Sequence, residues 1–469
     1  MLHLYNTLSR SKEAFQPLKA GMAGLYTCGP TVYDYAHIGN FRTFTFQDVL
    51  KRYLQYCGYA VRHVMNITDV DDRIIQNARE RGVGIRDYTR HFAQAFFEDL
   101  EALGIQKPDQ FCYATEHIPE MVSLIRRLEE KGVAYRQDDS VYFNVSRFPG
   151  YGKLAHIDFA GIKPGARVDT DKYLKEDARD FALWKAPREG EDFWETEIGP
   201  GRPGWHIECS AMAMKYLGET FDIHSGGIDL VFPHHENEIA QSEAATGVPF
   251  CRYWVHGEHL LVNSETMSKS KGNFYTLRDL LDRGFDPAAI RYLLVSVHYR
   301  KQINFSFEGI QHAAVALRRI HDLIDRLAAV RQGAAGSRSL AEEAIAKARR
   351  GFESAMDDDL NASEALAAIF DLVREANTLL DQDQVGEEQA RDIEAFLRRA
   401  DSVFGTFFRR SELILDEEVE KLISERRQAR LDRQFRRADE IREQLVRRGI
   451  VLEDTRDGTR WKRSLSAPA

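Results

Sequence analysis

Apolar and polar positions along the chain change period several times, and each change marks an element. "AGLYTCGP" (23–30) is a short apolar run closed by a Gly-Pro turn, which predicts a buried strand. "NFRTFTFQDVLKRYLQYCGY" (40–59) then spaces its apolar residues three and four apart until Gly58, the signature of a helix. "AVRHVMNITDVDD" (60–72) reads as a second strand and "RIIQNARERG" (73–82) as a second helix. Strand, helix, strand in this order is the βαβ unit of a parallel sheet, whose ligands sit at the carboxyl ends of the strands. Residues 28–40 and 68–72 are therefore expected at one mouth. From 109 to 199 the pattern loosens into short strands such as "SVYFNVS" and "DFALWKA" between Gly, Pro and charged residues, an insertion. Periodic α/β character returns with "GWHIECSAMAMKYLG" (204–218), "TFDIHSGGIDLVFPHHENEIAQSEAATG" (220–247) and "CRYWVHGEHLLVN" (251–263), so the first sheet is expected to resume and close there. After "TMSKSKGNFYTLRDLLDRGFDPAAIRYLLVS" (266–296) the apolar spacing becomes helical almost throughout, and a bundle should fill 310–408, with "RQGAAGSRS" as an interhelical loop.

Composition narrows this picture. A chain of 469 residues with 43% hydrophobic content exceeds what one core usually supports. The expected division is 1–108 and 200–260 as two halves of one α/β domain, 109–199 inserted, 261–309 a linker, 310–408 the bundle and 409–469 a terminal module. No apolar run approaches the roughly 18 to 20 residues that would span a bilayer, and "MLHLYNTLSRSKEAF" lacks a secretory core, so a cytoplasmic protein is expected. Five scattered cysteines do not make a disulfide framework; any with a role binds metal or reacts. The formal net charge of −9 argues against global attraction to nucleic acid, yet basic residues outnumber acidic ones over 421–463. An arginine-rich amphipathic helix, "EEVEKLISERRQARLDRQFRRADEIREQLVRRG", explains much of that excess as a solvated face. The strand-like "IVLEDT", the turn "RDG" and "TRWKR" add a folded piece with an aromatic among cations, a surface suited to phosphates and unstacked bases.

The chemistry-bearing residues fall at the predicted mouth. The helix beginning near Gly39 aims free N–H groups and its positive dipole end there, which suits an anion such as phosphate. His37 and Asn40 can add side-chain donors. "TMSKSKGN" (266–273) offers Lys269, Lys271 and two hydroxyls on a Gly-containing loop, and two separated donor clusters suggest a triphosphate clamp. Cys28, Cys209, His234 and Glu238 form a donor set that Zn²⁺ accepts, with His234 and Glu238 one helical turn apart on a helix starting near Pro233. Two cysteines so far apart are not a zinc-finger pattern, however. Two buried structural thiols account for them more readily, and His235 and Glu236 are rival ligands.

"HIGN" (37–40) and "TMSKS" (266–270) resemble the two signatures of class I aminoacyl-tRNA synthetases, HIGH and KMSKS, in order and separation. Within that class, "YTCGPTVYDYAHIGNFRTF", "NITDVDD", "GWHIECSAM", "DIHSGGIDLVFPHHENEIAQSEA" and "IVLEDTRDGTRWKR" look like the cysteinyl-tRNA synthetases over nearly the whole chain. The resemblance implies a Rossmann-type parallel-sheet catalytic domain with an inserted domain, then a helical bundle and a small C-terminal α+β anticodon-binding module. It implies a monomeric ligase that uses ATP with Mg²⁺, L-cysteine and tRNA(Cys), binds one Zn²⁺ and needs no membrane. It selects Cys28, Cys209, His234 and Glu238 as the metal ligands. It assigns His37, Asn40 and Lys269 to catalysis, with Ser268 and Ser270 joining them around ATP. Gly29, Thr68, Trp205, His224 and Asp229 fall on positions lining the amino-acid pocket. Trp205 would cover the side chain and Asp229 take the ammonium.

Zinc would solve a discrimination problem. An apolar pocket separates near-isosteres such as cysteine and serine by only ~10²-fold, whereas a bond to a soft thiolate is chemically selective. Four protein ligands close a tetrahedral site, so entry of the substrate sulfur requires a fifth position or displacement of Glu238. Two positions depart from the class signatures: Asn40 stands in place of His and Thr266 in place of Lys, which leaves Lys269 to carry more of the charge and Lys271 as a nearby compensating cation. Three other readings of the chain remain open here. One is a cysteine ligase of mycothiol biosynthesis, which has no anticodon to read. The others are a zinc-containing RNA-binding protein with a decayed nucleotide site, and an α/β protein that uses the same residues for packing.

Overall fold

The computed structural model describes residues 1–157, 179–268, 271–330, 338–409, 416–432, 434–447, 450–455 and 458–463. The chain forms two compact units. One comprises Met1–Leu261, Val297–Ile303 and Arg349–Ala368; the other comprises Val262–Ser296, Asn304–Ala348 and Ile369–Ala469.

The first unit is built on a parallel sheet of β1 (Met22–Thr27), β2 (Ala60–Ile67), β3 (Gln110–Tyr113), β4 (Phe221–Gly227) and β5 (Cys251–Gly257). Its spatial order is β5-β4-β1-β2-β3. Every neighbouring pair is parallel, with His224 beside Tyr26 and Tyr26 beside Val64. All seven residues of β4 are buried, as are the last five of β2, because parallel strands are covered on both faces. The strand order reverses between β1 and β4, and such a reversal opens a crevice beyond the carboxyl ends of those two strands. Helix α1 (Ile38–Tyr56) makes the crossover from β1 to β2 and stops at Gly58, whose φ of 90° suits glycine.

Residues 110–113 pair into this sheet, so the sheet's first half runs past the boundary expected at 109. The helix Ile118–Glu130 then precedes a separate antiparallel sheet of Ala134–Gln137, Ser140–Phe143, Phe181–Lys185 and Arg202–Pro203. That helix was readable from Ile118, Met121, Val122, Ile125 and Leu128, all buried and three or four apart. Residues 349–368 cluster with the first unit instead of forming part of a self-contained bundle. The buried Asp359 accounts for this by accepting hydrogen bonds from Tyr5 N (2.8 Å), Arg300 Nε (2.6 Å) and the Tyr299 hydroxyl.

The second unit is largely helical, including Leu277–Asp282, Pro287–Ser296, Phe307–Ala328 and Glu387–Phe404. The single basic helix expected near the C-terminus is two, Asp416–Leu431 and Phe435–Arg447, followed by the hairpin Ile450–Thr455 and Gly458–Arg463. Ile423, Ile441, Leu445 and Ile450 form a small core of their own there, as a folded module requires. Most of the loop expected at 331–339 lies outside the described residues. Among the described residues no helix is long and apolar enough to cross a membrane.

His63 on β2 gives the sheet a pH dependence. Its ring is buried, with Nε2 2.8 Å from Thr27 Oγ1. Burial, helped by Lys51 and opposed by Asp48, pushes it down to about 3. A folded value below the ordinary His value of about 6.5 means that protons favour the unfolded chain. The stabilising contribution is therefore complete above pH 6.5 and shrinks by about 1.4 kcal/mol per pH unit as pH falls toward the folded value. Unfolding free energies of the protein and of His63→Gln, measured from pH 7 to 5, are expected to differ in slope by about one proton. Parallel slopes would exclude His63 as the cause.

Candidate active site and metal-ligand cluster

The turn after β1 carries Cys28 and Gly29 into the crevice. Cys28 N–H donates to Ser225 O on β4 (3.3 Å), which joins the two strands at the point of reversal. Gly29 N–H donates to Asn66 Oδ1 (2.8 Å), and a Cβ at position 29 would lie 1.8 Å from the Asn66 carbonyl oxygen, so only glycine fits. Thr68 bonds to the same turn through Thr68 N–H to Pro30 O (3.1 Å) and Val32 N–H to Thr68 O (3.0 Å). The expectation that 28–40 and 68–72 share a mouth holds in the fold.

His37 and Asn40 close a capping box at the start of α1. Asn40 N–H donates to His37 Nδ1 (3.2 Å) and His37 N–H donates to Asn40 Oδ1 (3.0 Å). The neutral His37 ring thereby carries its proton on Nε2, and Asn40 keeps its NH₂ group as donor. Burial lowers the His37 pKa against the pull of Asp229, so near neutral pH this end of the helix offers neutral donors and its dipole.

Cys209 comes from α2 (Trp205–Leu217), while His234 and Glu238 come from the turn after β4 and from α3 (Glu236–Thr246). One ligand atom from each of Cys28, Cys209, His234 and Glu238 lies within 4.8 Å of every other, and all four residues are buried. A second group, Cys28, His224, His235 and Glu238, meets the same condition. Glu238 Oε1 is 3.0 Å from His234 Nε2, and Oε2 is 2.9 Å from His224 Nε2. His235 Nε2 is 3.3 Å from Cys28 Sγ, so His235 stays a rival, and His224 joins it. Glu236 drops out: its carboxylate accepts N–H groups of Gly152 (2.8 Å), Leu154 and Ala155 (2.9 Å each), away from the thiols.

The electrostatics of the cluster suit a cation. Burial would raise the Cys209 thiol, but the hydrogen bond from Cys28 and the charge of His234 bring it down to about 6. Burial would likewise raise Glu238, and His224 and His234 hold it at about 2. His234 is lifted to about 10 against burial by Glu238 and Cys209. A thiolate and a carboxylate enclosed together demand positive charge, and two sulfurs, an imidazole nitrogen and a carboxylate oxygen are the donors zinc takes.

The pocket residues named from sequence gather nearby. The Trp205 ring lies 4.3 Å from that of His234, and the residue is 39% exposed. His224 is fully buried against Glu238, so it touches the carboxylate of the cluster. Asp229 is exposed, and its charge is felt at both Cys28 and His37. Asn66 and Glu208 were not singled out by sequence; neither type has a diagnostic spacing. In the second unit, Ser268 N–H donates to Asn273 Oδ1 (2.8 Å), while Lys269 and Ser270 lie outside the described residues.

The family described as tRNA synthetases class I (C) catalytic domain matches residues 14–315. A cysteine–tRNA ligase of Solibacter usitatus is 52% identical, covering 98% of this chain and 99% of the relative. The chain belongs to the cysteine–tRNA ligase family. A cysteine–tRNA ligase of Koribacter versatilis is 48% identical over the same shares of the two chains. Residues 351–408 match the DALR domain and 414–461 the cysteinyl-tRNA ligase anticodon binding domain, which removes the reading as a ligase with no anticodon to read. Methionyl-tRNA synthetase of Mycobacterium tuberculosis in complex with methionyl-adenylate shares the fold, with a TM-score of 0.59 at 17% identity over 82% of this chain and 89% of that one.

Proposed function

We infer that the protein activates L-cysteine with ATP and transfers it to the 3′ end of tRNA(Cys), and that the metal in its cluster is Zn²⁺ held by Cys28, Cys209, His234 and Glu238. The observation carrying this reading is the enclosed pair of thiols at the strand reversal, next to the capped start of α1. When bound, Zn²⁺ would supply a soft position that favours a substrate thiolate over a hydroxyl.

The protein residues hold and orient the rest. Trp205 covers the side chain and keeps water from the sulfur; Asp229 attracts the ammonium. ATP enters with Mg²⁺, and the N-terminus of α1, the Asn40 amide and His37 Nε2–H donate to phosphate oxygens near the reacting centre. A carboxylate oxygen of cysteine attacks the α-phosphorus and pyrophosphate leaves, its charge stabilised by Lys269, with Ser268 and Ser270 beside it in sequence. A ribose hydroxyl of the tRNA then attacks the carbonyl carbon and AMP leaves. Both steps need placement and charge neutralisation more than covalent help from the protein. The basic C-terminal module contacts the anticodon end.

Charging of a purified tRNA pool tests the reading. Cysteine is expected to be accepted and serine rejected by at least about 10⁴-fold, the range open to a site built for one specific contact. One zinc per active chain is expected alongside. Comparable charging with serine, or full activity in metal-free protein, would sink it.

A further inference from the structure

Glu208 is enclosed beside the cluster and has no part in the steps above. It is 1% exposed and accepts a hydrogen bond at Oε2 from the Thr68 hydroxyl (2.9 Å). Thr68 Oγ1 in turn lies 3.1 Å from Asn66 Nδ2, and Asn66 Oδ1 receives the Gly29 N–H (2.8 Å). The direction of this chain is fixed from one end. A backbone N–H can only donate, so the Asn66 atom facing Gly29 is its oxygen and the atom facing Thr68 is its NH₂. A hydroxyl has one hydrogen and two lone pairs. Thr68 uses one lone pair on Asn66 and its only hydrogen on Glu208. What it has left is a lone pair.

We propose that Glu208 is a positioning residue that makes Thr68 a pure acceptor for the ammonium group of the amino acid. The inference rests on the functional reading above, which places Thr68 in the cysteine pocket. Thr68 is bonded to Pro30 and Val32 directly and to Gly29 through Asn66, and Glu208 directly precedes Cys209, so the chain joins the segments that carry the two thiols. An ammonium has three N–H donors and no acceptor. Asp229 supplies the opposite charge, and Thr68 Oγ1 supplies a directional partner for one N–H. With no carboxylate or amide oxygen at 208, nothing holds the Thr68 hydrogen away from those N–H groups, and the lone pair is no longer fixed toward them. The site then recognises two features of its substrate: the sulfur at the metal ligands and the ammonium at Thr68.

The test uses the full-length, metal-containing enzyme and two fragments of cysteine. Cysteamine keeps the thiol and the ammonium; 3-mercaptopropionate keeps the thiol and lacks the ammonium. Each is measured as an inhibitor of cysteine-dependent ATP–pyrophosphate exchange. Glu208→Met is expected to raise the KM for cysteine and the inhibition constant of cysteamine by about tenfold, the size expected for one charge-assisted hydrogen bond. It should leave kcat within about threefold, and 3-mercaptopropionate inhibition and metal content unchanged. Glu208→Gln, whose Oε1 can still accept, should return cysteine and cysteamine to within about threefold of the unaltered enzyme. Equal weakening of both fragments, loss of metal from Glu208→Met, or no change at all would overturn the proposal. If Glu208→Met does not fold, Thr68→Val against Thr68→Ser carries the same comparison. An unaltered enzyme with no cysteine-dependent exchange would overturn the functional reading itself, whereas normal exchange with fragments that do not separate overturns only the role of Glu208.

Discussion

Replacing Cys209 by serine is expected to lower cysteine-dependent ATP–pyrophosphate exchange by at least about a thousandfold and to take the bound metal from about one per chain toward none. The two losses share a cause. Cys209 is the thiol held lowest in the cluster, at about 6, and so it enters coordination as a thiolate with little cost in deprotonation. A serine hydroxyl of nearly the same shape does not ionise near neutral pH and is a harder, weaker ligand. Outer-sphere partners of a metal site already matter by roughly 10- to 100-fold in affinity, so a direct ligand should cost more. The two overlapping ligand groups are separated by a pair of variants. With Cys28, Cys209, His234 and Glu238 as ligands, His234→Ala releases the metal to a chelator, while His235→Ala retains it within about tenfold of the unaltered affinity. The reverse order would assign the metal to Cys28, His224, His235 and Glu238. The first group has two sulfurs where the second has one, which favours zinc in the first. Metal retained at full stoichiometry in Cys209→Ser would remove Cys209 from the ligands altogether.

What could be read from residues alone follows from how local each signal is. The βαβ start was legible because β1 and β2 are apolar runs and α1 keeps helical spacing, and each pattern lies within a short window. The boundary of the insertion was not, because β3 is only the four residues Gln110–Tyr113 and nothing in "QFCY" distinguishes a strand of the parallel sheet from one of the insertion. The bundle helices were legible from their spacing. The attachment of residues 349–368 to the first unit was not, since it depends on Asp359 meeting Tyr5, Tyr299 and Arg300 from distant stretches. The same holds within the site. His234 and Glu238 share a helical turn, and that spacing is visible in sequence. Bringing Cys28 and Cys209 together requires the strand order β4-β1-β2, which no local pattern states. Glu236 was a reasonable rival by spacing, and only the fold shows its carboxylate turned to the N–H groups at 152–155. The Asn66–Thr68–Glu208 chain stayed hidden for the same reason, because hydrogen-bond direction is a property of three-dimensional neighbours.

Lys269→Ala is expected to slow adenylate formation by at least an order of magnitude, and Lys271→Ala by less than about threefold. Both lysines follow Thr266, which stands where the class signature has a lysine, so the loop has lost one of its two usual cations and the remaining charge carries more of the work. A donor or cation aimed at charge that develops in the transition state is worth roughly 10²- to 10³-fold when the site is preorganised. Lys271 is engaged elsewhere: its Nζ lies 3.1 Å from Glu265 Oε2 in an ion pair whose members are 48% and 60% exposed. Such a pair adds little to stability, so Lys271→Ala should leave the fold intact, but the carboxylate offsets the lysine charge and weakens its pull on a departing pyrophosphate. Glu265→Gln provides the complementary check. By freeing Lys271 it should raise the residual activity of Lys269→Ala severalfold while changing the unaltered enzyme little. The measurement is the maximal rate of cysteine-dependent pyrophosphate exchange at saturating ATP, which isolates stabilisation of the leaving group from nucleotide binding. Equal losses in the two lysine variants would mean that the loop acts through its total charge, and the ranking of Lys269 over Lys271 would fall.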